Sequence, residues 1–423
     1  MKLILINAFL LLLMDYYIYY ALQKSTINWV KHRFFKGAWW AYSGLLLIGV
    51  LVSIYLNIPL MLRSVILVAF FLTFTSKIFY VLVLLVDEFR RGSIWITRVL
   101  FKRRTNVVEE EKTVIPAAGQ LEGASTINRS QFLTRAGILV AAAPFATLSW
   151  GIAVGGYDYQ VRRQKLYLPN LPKTFHGLKI GQISDIHSGS FYNKTAVQGG
   201  VDMLLAEKPD VIFFTGDLVN NQANEMRYYQ DIFSKVQAPL GVFSTLGNHD
   251  YGDYFYGRED SPAKQKNLQQ LKEIHRLMGW DLLLNEHRRL RIGQDELGIL
   301  GVENWGTGRF PKHGNIDLAK NDTNDLPVKL LLSHDPSHWR AQVLAHPDID
   351  VMFAGHTHGM QFGVRGEHYQ WSPAEYVYRE WAGLYTEKQQ QLYVNVGYGF
   401  LGYPGRVGIL PEITIFELVS GVA

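Results

Sequence analysis

The hydrophobic pattern divides this chain into two parts. The first third holds long, nearly continuous apolar runs, whereas the rest alternates short apolar runs with polar segments. Each long run has about the twenty residues that a helix needs to cross a bilayer. The four runs lie at 3–22, 38–59, 64–86 and 136–156. The pattern therefore predicts a membrane domain at 1–156 with four transmembrane helices, followed by a separate domain at 157–423.

The basic residues beside these runs predict how the helices are oriented. Four of them lie between the first and second runs, and only Arg63 lies between the second and third. Six more follow the third run: Arg90, Arg91, Arg98, Lys102, Arg103 and Arg104. Because basic loops stay in the cytoplasm, the loop at 87–135 is predicted to be cytoplasmic and the fourth helix to carry 157–423 outward. If the fourth run does not span, that domain is cytoplasmic instead.

Two charged residues interrupt the apolar runs. Asp15 lies in the first run and Lys77 in the third. Ionisable side chains at membrane depth are costly and are usually paired with each other. We expect an Asp15–Lys77 ion pair between the first and third helices, and two hydrated helix ends are the alternative.

From residue 178 onward, the pattern is that of alternating strands and helices. Apolar runs predict strands at 179–184, 211–215, 241–246, 328–333, 349–354, 392–396 and 412–418, with shorter ones at 282–284, 290–292 and 297–302. Helical spacing is found at 196–206, 225–236 and 262–278, and 157–172 reads as a polar connector. This order is typical of an α/β domain in which stacked sheets are covered by helices.

Five of the predicted strands end in side chains that bind metals. In chain order these side chains are Asp185 and His187, Asp217, Asn248, His334, and His356 and His358. A serine or glycine precedes each group, which allows the backbone and a metal or phosphate to approach closely. Sites in α/β sheets lie beyond the carboxyl ends of strands. Asp and Asn also form turns at strand ends, but that role does not explain five such sites or the histidines.

The composition narrows the chemistry. The chain has no cysteine, so any metal must be held by oxygen and imidazole ligands, which suit Mn, Zn, Fe or Mg. The net charge is +5, but the basic residues flank the apolar runs, which favours a membrane over a nucleic-acid polymer as partner. Seven ligands are too many for one tetrahedral zinc and are enough for two ions. Two such ions clamp the attacking and leaving oxygens of a phosphoryl displacement and supply hydroxide near neutral pH.

Together these motifs resemble the calcineurin-like metallophosphoesterases over about 178–418. The motifs stand in that family's order: Asp185-Ile186-His187, Gly216-Asp217, Gly247-Asn248-His249-Asp250, His334 and Gly355-His356-Thr357-His358. The resemblance implies a two-sheet αββα sandwich that binds two divalent ions. It implies that the first ion is held by Asp185, His187, Asp217 and His358. The second would be held by Asp217, Asn248, His334 and His356, so that Asp217 bridges the two.

The resemblance also implies roles for residues that bind no metal. His249 would stabilise the phosphate or protonate the leaving oxygen, and Asp250 would orient His249. Two positions depart from many relatives. Asn220 stands where they have aspartate, and Met360 replaces the second glycine of Gly-His-Thr-His-Gly-Gly-Gln. We expect Met360 to narrow the mouth of the site.

Weaker candidates lie near the motifs. Arg406, in a glycine-rich loop, and Arg365 are candidate phosphate ligands. The aromatic segment at 368–385 is a candidate lid or interfacial segment, and a minor hydrophobic cluster is the alternative. His275 and His338 lack the strand-end context and are interpreted as surface or structural residues.

The sequence therefore predicts a membrane-anchored, two-metal phosphoesterase that hydrolyses a phosphate ester or pyrophosphate by attack of a metal-bridging hydroxide. A phospholipid or a lipid-linked phosphate is the first candidate substrate, because the anchor concentrates the enzyme at the membrane. A phosphodiesterase of soluble nucleotides and a non-catalytic metal-binding sensor or scaffold are the alternatives. The spans make the chain similar to membrane-anchored bacterial members of the family, which implies an inner-membrane protein. The orientation predicted from the basic residues places the catalytic domain on the extracytoplasmic side. The oligomeric state is left open.

Overall fold

A computed structural model describes residues 2–25, 27–56, 58, 60–100, 129–366 and 369–422 of this chain. The chain divides into two compact units, Met1–Ser149 and Trp150–Ala423. The second unit thus begins a few residues before the predicted boundary at 156. Most of the predicted cytoplasmic loop, residues 101–128, lies outside the described residues.

Long helices form the first unit. They are α1 (Lys2–Gln23), α2 (Arg33–Tyr55), α3 (Leu60–Leu100) and α4 (Arg129–Ala153), the last of which continues into the second unit. Among the described residues, three segments are long and apolar enough to cross a membrane: Arg33–Tyr55, Leu62–Leu100 and Gln131–Tyr157. Helix α1 covers the first predicted run, and the count of four spans stays a prediction.

Helix α3 extends well beyond the predicted span at 64–86. Its C-terminal part, 87–100 or about four turns, belongs to the segment predicted as the start of the cytoplasmic loop. Asp87 pairs there with Arg90 and Arg91, three and four residues further along the chain. Pairs at this spacing stabilise a helix, which explains why the helix continues past the apolar run.

The expected ion pair between the first and third helices is confirmed. The Lys77 Nζ lies 2.6 Å from the Asp15 Oδ1, and both side chains are buried within the helical unit. The Lys77 ammonium also lies over the ring of Trp39. The two charges are therefore removed from solvent together, which makes each dependent on the other.

We expect the Asp15–Lys77 pair to behave as a coupled unit in stability. Asp15→Asn or Lys77→Gln alone leaves one buried charge without its partner and should cost about 3–5 kcal/mol. The double neutral variant should cost far less than the sum, because no unpaired charge remains. Thermal unfolding of the four proteins in the same lipid nanodisc measures this, and additive losses would contradict the coupling.

The described part of the second unit forms fourteen strands and several helices. The strands are β1 (Gln160–Leu168), β2 (Lys179–Ile183), β3 (Val211–Phe214), β4 (Val242–Ser244), β5 (Asp281–Leu282), β6 (Glu286–Ile292), β7 (Asp295–Gly301), β8 (Lys329–Leu332), β9 (Val351–Ala354), β10 (Val364–Arg365), β11 (Gln370–Trp371), β12 (Gly383–Glu387), β13 (Gln390–Val394) and β14 (Glu412–Ser420). The helices are α5 (Lys194–Ala206), α6 (Gln230–Phe233), α7 (Asp253–Tyr256), α8 (Pro262–Leu277), α9 (Ile316–Lys320) and α10 (Ser337–Ala341).

The larger strands form two six-stranded sheets that pack face to face. The first sheet has the order β1-β14-β2-β3-β4-β5 and the second β12-β13-β9-β8-β7-β6. Phe213 of the first sheet and Phe353 of the second lie in one buried core between them. Helices α5 and α8 cover the outer face of the first sheet, and α9 and α10 cover that of the second. The predicted αββα sandwich is confirmed.

The prediction of a polar connector at 157–172 is wrong for most of its length. Residues 160–168 form β1, which pairs in parallel with β14 along nine residues. Strand β1 is an edge strand. Arg163 and Lys165 are exposed on it, and Arg162 is half-buried. Charged residues are common on edge strands because they discourage pairing with another chain, and they hide the strand from a hydrophobicity pattern.

His275, on α8, is a structural residue of the core. Its ring is fully buried, and its Nδ1 lies 3.0 Å from the Ser244 Oγ on β4. Burial lowers the pKa of His275 to about 3. The ring is therefore neutral in the folded protein across the physiological range.

We expect acid to destabilise the second unit partly through His275. The unfolded chain protonates this ring below its ordinary pKa of about 6.5, whereas the folded protein does not until about 3. The stabilisation is thus complete above 6.5 and falls by about 1.4 kcal/mol per pH unit below it. His275→Gln should flatten the pH dependence of unfolding between 6.5 and 4. An unchanged slope would contradict this assignment.

Candidate functional site

The predicted metal ligands all follow strands whose carboxyl ends meet at one edge of the sandwich. Asp185 and His187 follow β2, Asp217 follows β3 and Asn248 follows β4, three parallel neighbours in the first sheet. His334 follows β8, and His356 and His358 follow β9, parallel neighbours in the second sheet. The two sheets therefore present one set of ligands each to a common space.

The backbone around these ligands has an unusual conformation. Five of them have positive φ angles: Asp185 at 51°, His187 at 48°, Asp217 at 60°, His356 at 72° and His358 at 51°. Each such residue costs on the order of 1 kcal/mol relative to ordinary backbone. The surrounding sandwich holds all five in this conformation, which points their side chains into the same space.

The small residues that precede the ligands allow close approach of the loops. A Cβ on Gly355 would lie 2.0 Å from the Ser184 Oγ and 2.1 Å from the Asp185 Oδ2. A Cβ on Gly247 would lie 2.2 Å from the Asp217 Oδ1. Any side chain at either position would displace a carboxylate of the site, which explains the recurring glycine.

Asp185, His187 and His358 form a first group whose ligand atoms lie within 4.8 Å of one another. The two histidine Nε2 atoms are 3.0 Å apart, and the His358 Nε2 is 3.2 Å from the Asp185 Oδ1. The arrangement suits a divalent cation, because two imidazole lone pairs and a carboxylate oxygen face one point.

Asp217, His334 and His356 form the second group, again within 4.8 Å. The His334 Nε2 is 3.1 Å from the Asp217 Oδ2 and 3.3 Å from the His356 Nδ1. The His334 Nδ1 lies 2.7 Å from the carbonyl oxygen of Thr215. Because a carbonyl only accepts, Nδ1 carries the hydrogen and Nε2 is left to bind an ion.

One carboxylate oxygen joins the two groups. The Asp217 Oδ2 is 3.1 Å from the His334 Nε2 of the second group and 3.5 Å from the His187 Nε2 of the first. The Asp217 side chain is also nearly fully buried. From this position the carboxylate would reach an ion bound in either group.

The charges of the site depend strongly on one another. Although burial raises the pKa of the Asp217 carboxyl, the neighbouring His334 and His249 rings hold it well below its usual range. Burial lowers the pKa of His334, but the Asp217 and Asp185 carboxylates raise it to about 10. Burial keeps the pKa of His187 well below its usual value. A divalent ion bound here therefore has to displace a proton from His334.

Asn248 provides an independent test of whether the residues fit an ion. Its Oδ1 is buried and accepts no hydrogen bond from any residue that the structure describes, while its Nδ2 donates to the Tyr254 hydroxyl at 3.2 Å. A buried amide oxygen without a donor is costly. The donor set of two carboxylates, one amide and four imidazoles therefore fits two hard or borderline divalent ions.

His249 lies beside the two groups, and its backbone N–H and its ring are held by three contacts. Its backbone N–H donates to the Asp217 Oδ1 at 2.8 Å, and its Nδ1 donates to the carbonyl oxygen of Asn220 at 2.7 Å. The ring stacks on Tyr254, with centroids 4.5 Å apart. Since Nδ1 carries a hydrogen, Nε2 is the nitrogen that can exchange a proton with a substrate.

The backbone carbonyl of Asn220, and not its side chain, holds His249, so an aspartate at this position is not required to orient the histidine. The Asn220 side chain donates from Nδ2 to the Ser190 Oγ at 3.0 Å and takes no part in holding His249. The contact with the histidine is made by the backbone. The departure from many relatives at this residue thus leaves the orientation of His249 intact.

The structure does not give Asp250 the predicted role of orienting His249. Its carboxylate accepts backbone N–H groups from Gly247, Asp217, Leu218 and Val219. Burial and the Asp217 charge raise the pKa of Asp250 to about 7, while these N–H donors favour its ionised form. Asp250 thus ties the loop after β4 to the loop after β3.

Arg406 does not occupy the predicted position of a phosphate ligand. Its guanidinium is buried, and burial lowers its pKa to about 10. It donates to the carbonyl oxygens of Val396 at 2.7 Å and Gly399 at 2.6 Å, and one nitrogen lies 3.2 Å from the His358 Nδ1. The arginine supports the loop behind His358.

Arg365 is likewise committed elsewhere. Its guanidinium forms an ion pair with Glu412, and both side chains are buried. A direct phosphate contact would break this pair. Met360, the third candidate for substrate contact, is exposed and follows His358 by two residues.

Several residues that the sequence did not single out as site residues touch the histidines. The Tyr378 hydroxyl lies 2.7 Å from the His356 Nε2, and the buried Asp335 lies 3.7 Å from the same nitrogen. Tyr254 stacks on His249. It follows the Asn-His-Asp motif by only four residues, so its sequence position could have indicated a place in the site. Tyr378 belongs to the aromatic segment at 368–385, but no local pattern marks its contact with His356 or marks Asp335, because only folding brings these residues to that histidine.

Comparisons with known proteins agree with this geometry. Residues 178–360 match the family model "Calcineurin-like phosphoesterase", and residues 1–156 match "Probable Calcineurin-like phosphoesterase, transmembrane domain". A zebrafish (Danio rerio) transmembrane protein with metallophosphoesterase domain is 28% identical over 63% of this chain and 58% of its own length. The uncharacterized metallophosphoesterase YkuE of Bacillus subtilis is 27% identical over 63% of this chain and 91% of its own length.

A third relative has a named activity. The UDP-2,3-diacylglucosamine pyrophosphatase LpxG of Chlamydia trachomatis is 26% identical over 62% of this chain and 89% of its own length. The alignment with the zebrafish protein, by contrast, spans less than two thirds of that relative. The two matched domains and the relatives establish a membrane protein of the calcineurin-like metallophosphoesterase family, and this chain belongs to that family.

Proposed function

We propose that this chain is a membrane-anchored phosphoesterase that uses two divalent ions to hydrolyse a phosphate ester or pyrophosphate bond. The observation that carries the proposal is the Asp217 Oδ2, which lies within 3.5 Å of a histidine from each of the two ligand groups. A carboxylate between two such groups suits two ions that act together on one phosphoryl group.

The proposed ligand sets are those that the sequence predicts. Asp185, His187, Asp217 and His358 would hold the first ion, and Asp217, Asn248, His334 and His356 the second. Mn, Zn, Fe and Mg all fit these donors. When bound, such ions neutralise the charge of the phosphoryl group and make water a better nucleophile near neutral pH.

The residues of the chain supply the rest of the chemistry. His249, fixed by the Asn220 carbonyl and Tyr254, presents Nε2 to the phosphate and, when protonated, donates to the leaving oxygen. Asp250 accepts hydrogen bonds from the loops after β3 and β4 and so fixes these loops to each other, which keeps His249 and Asp217 adjacent. Met360 borders the entrance and limits the shape of the substrate.

We further propose that the substrate is attached to lipid and that the catalytic unit faces the extracytoplasmic side of a bacterial inner membrane. The candidate membrane spans support a substrate that is held in a membrane, and the Chlamydia relative is named for a diacylated nucleotide sugar with a pyrophosphate bond. Both arguments favour a lipid-linked pyrophosphate or a phospholipid over a soluble nucleotide.

The test is turnover by the full chain in nanodiscs with Mn²⁺. The panel contains bis-p-nitrophenyl phosphate, a phospholipid, UDP-2,3-diacylglucosamine and a UDP-sugar without acyl chains as its matched control. We expect hydrolysis of the acylated compounds with kcat/KM at least about tenfold above the acyl-free control. Preference for the acyl-free compound would contradict a lipid substrate and favour a soluble nucleotide. Two bound ions without turnover of any compound would contradict an enzyme and favour a metal-binding sensor or scaffold.

A further inference from the structure

A group of exposed apolar side chains lies directly beside the metal ligands. We call it the apolar rim, and its residues are Met360, Phe362, Val364, Tyr369, Trp371 and Tyr376. Five of them are more than two fifths exposed: Met360 and Phe362 at 44%, Val364 at 53%, Tyr369 at 65% and Tyr376 at 75%. Trp371 is half-buried. Adjacent exposed apolar side chains of this size mark a surface that contacts something other than water.

Contacts within the segment hold the rim together. Val364 on β10 is paired with Trp371 on β11, so their side chains point to the same face. The Trp371 Nε1 lies 3.3 Å from the Tyr376 hydroxyl. The rim begins at Met360, two residues after His358, so the rim and the metal ligands share one loop.

The base of the rim is joined to the end of the last apolar helix. Phe362 forms a parallel bridge with Val407, and the Gly363 N–H donates to the Val407 carbonyl at 2.9 Å. The Arg406 N–H in turn donates to the carbonyl oxygen of Gly151 in the last turn of α4. A Cβ on Gly151 would lie 2.7 Å from the Val407 Cγ2, so the helix and the segment around Val407 are in direct contact.

The residues around that helix end are those found at a bilayer surface. The segment Gln131–Tyr157 is one of the candidate membrane spans, and Gly151 lies close to its end. Trp150 is exposed there, and Tyr192 donates its hydroxyl to the carbonyl oxygen of Ile152. Tryptophan and tyrosine concentrate where the hydrocarbon meets the headgroups.

We propose that the apolar rim docks into the interfacial layer of the bilayer in which the helices are embedded. The partner is the lipid surface itself. These parts are continuous: the candidate span Gln131–Tyr157 ends close to Gly151, Gly151 contacts Val407, and Val407 pairs with Phe362 of the rim. Trp371, Tyr369 and Tyr376 have the amphipathic side chains that suit this layer.

The docking has a consequence for the site. His358 and Met360 lie on the same short turn, so a rim seated in the interface places the metal ligands at the level of lipid phosphates. A phosphate on a membrane-embedded amphiphile would reach the site without leaving the bilayer. This last step rests on the proposed function, whereas the docking itself does not.

The chain has no cysteine, so single labels can be placed without background. Val364→Cys and Tyr376→Cys, each carrying an environment-sensitive fluorophore, would be measured in full-length protein in nanodiscs containing doxyl-labelled phospholipid. Leu277→Cys is the matched control, an exposed apolar residue at the end of α8. We expect the two rim labels to be quenched at least about threefold more strongly than the control. Equal quenching at all three positions would overturn the proposal.

Kinetics provide a second test. The double variant Val364→Ser, Tyr376→Ser should raise KM for a vesicle-embedded phospholipid by about tenfold, because two apolar contacts with the interface are lost. Its kinetics with soluble bis-p-nitrophenyl phosphate should match those of the parent chain. An equal loss on both substrates would show a structural effect and contradict docking. Since the labels report without turnover, failure of the proposed function and failure of the docking are distinguishable.

Discussion

Asp217→Asn should reduce kcat/KM by about 10³-fold or more, equivalent to about 4 kcal/mol of transition-state stabilisation. The Asp217 Oδ2 contacts both ligand groups, so loss of its charge affects both ions at once. Metal analysis of the purified variant should show fewer than two ions per chain. Asparagine is the appropriate replacement, because Asp217 has a φ of 60° and asparagine tolerates this conformation better than alanine.

The control is Asp202→Asn, which removes an exposed carboxylate from α5 in the same unit. It should retain two ions and activity within about twofold of the parent chain. If Asp217→Asn kept both ions and comparable activity, the shared position of this carboxylate would have no catalytic meaning. The proposed two-ion mechanism would then be wrong.

The second large effect is expected for His249→Gln. We expect kcat to fall by about 10²–10³-fold with metal content unchanged, because the ring acts on the phosphate and donates no ligand atom to either group. The loss should be greater for a substrate with a poor leaving group, such as an alkyl phosphate ester, than for a p-nitrophenyl ester. A p-nitrophenolate leaves without being protonated, so it needs no proton from Nε2.

This dependence on the leaving group separates proton donation from electrostatic support. If His249→Gln slows both substrates equally, the ring stabilises the phosphate charge and does not protonate the leaving oxygen. His287→Gln, on β6 and away from the ligand groups, is the matched control and should behave like the parent chain. Loss of an ion from His249→Gln would instead make His249 a ligand.

The positions of the metal ligands could be predicted because they depend on short-range rules. An apolar run, a small residue and a ligand recur at β2, β3, β4, β8 and β9, and parallel strands bring their carboxyl ends together. The Asp15–Lys77 pair was predictable for a similar reason. A charge within an apolar span needs a partner, and each of the two was the obvious partner of the other.

The roles of Asp250, Arg365 and Arg406 could not be predicted from the same rules. Each is polar and lies near a motif or in a glycine-rich loop, which favours a functional role. In the structure, their partners are backbone N–H groups, Glu412 and backbone carbonyls. Sequence position does not reveal burial, and burial decides whether a charged side chain faces a substrate or supports a loop.

The sequence pattern by itself determined an α/β domain of stacked sheets, the apolar helices in front of it and the strand-end ligands. These follow from hydrophobic period and small residues, which are local. The αββα order was implied by the resemblance to the family, and the Asp15–Lys77 pair was expected from the cost of an unpaired charge. Only the tertiary structure decided the positive φ angles, the position of Asp217 between two groups, the support of His249 by Asn220 and the link from Gly151 to the apolar rim. These depend on contacts between residues far apart in the chain, which form only when the two sheets pack together.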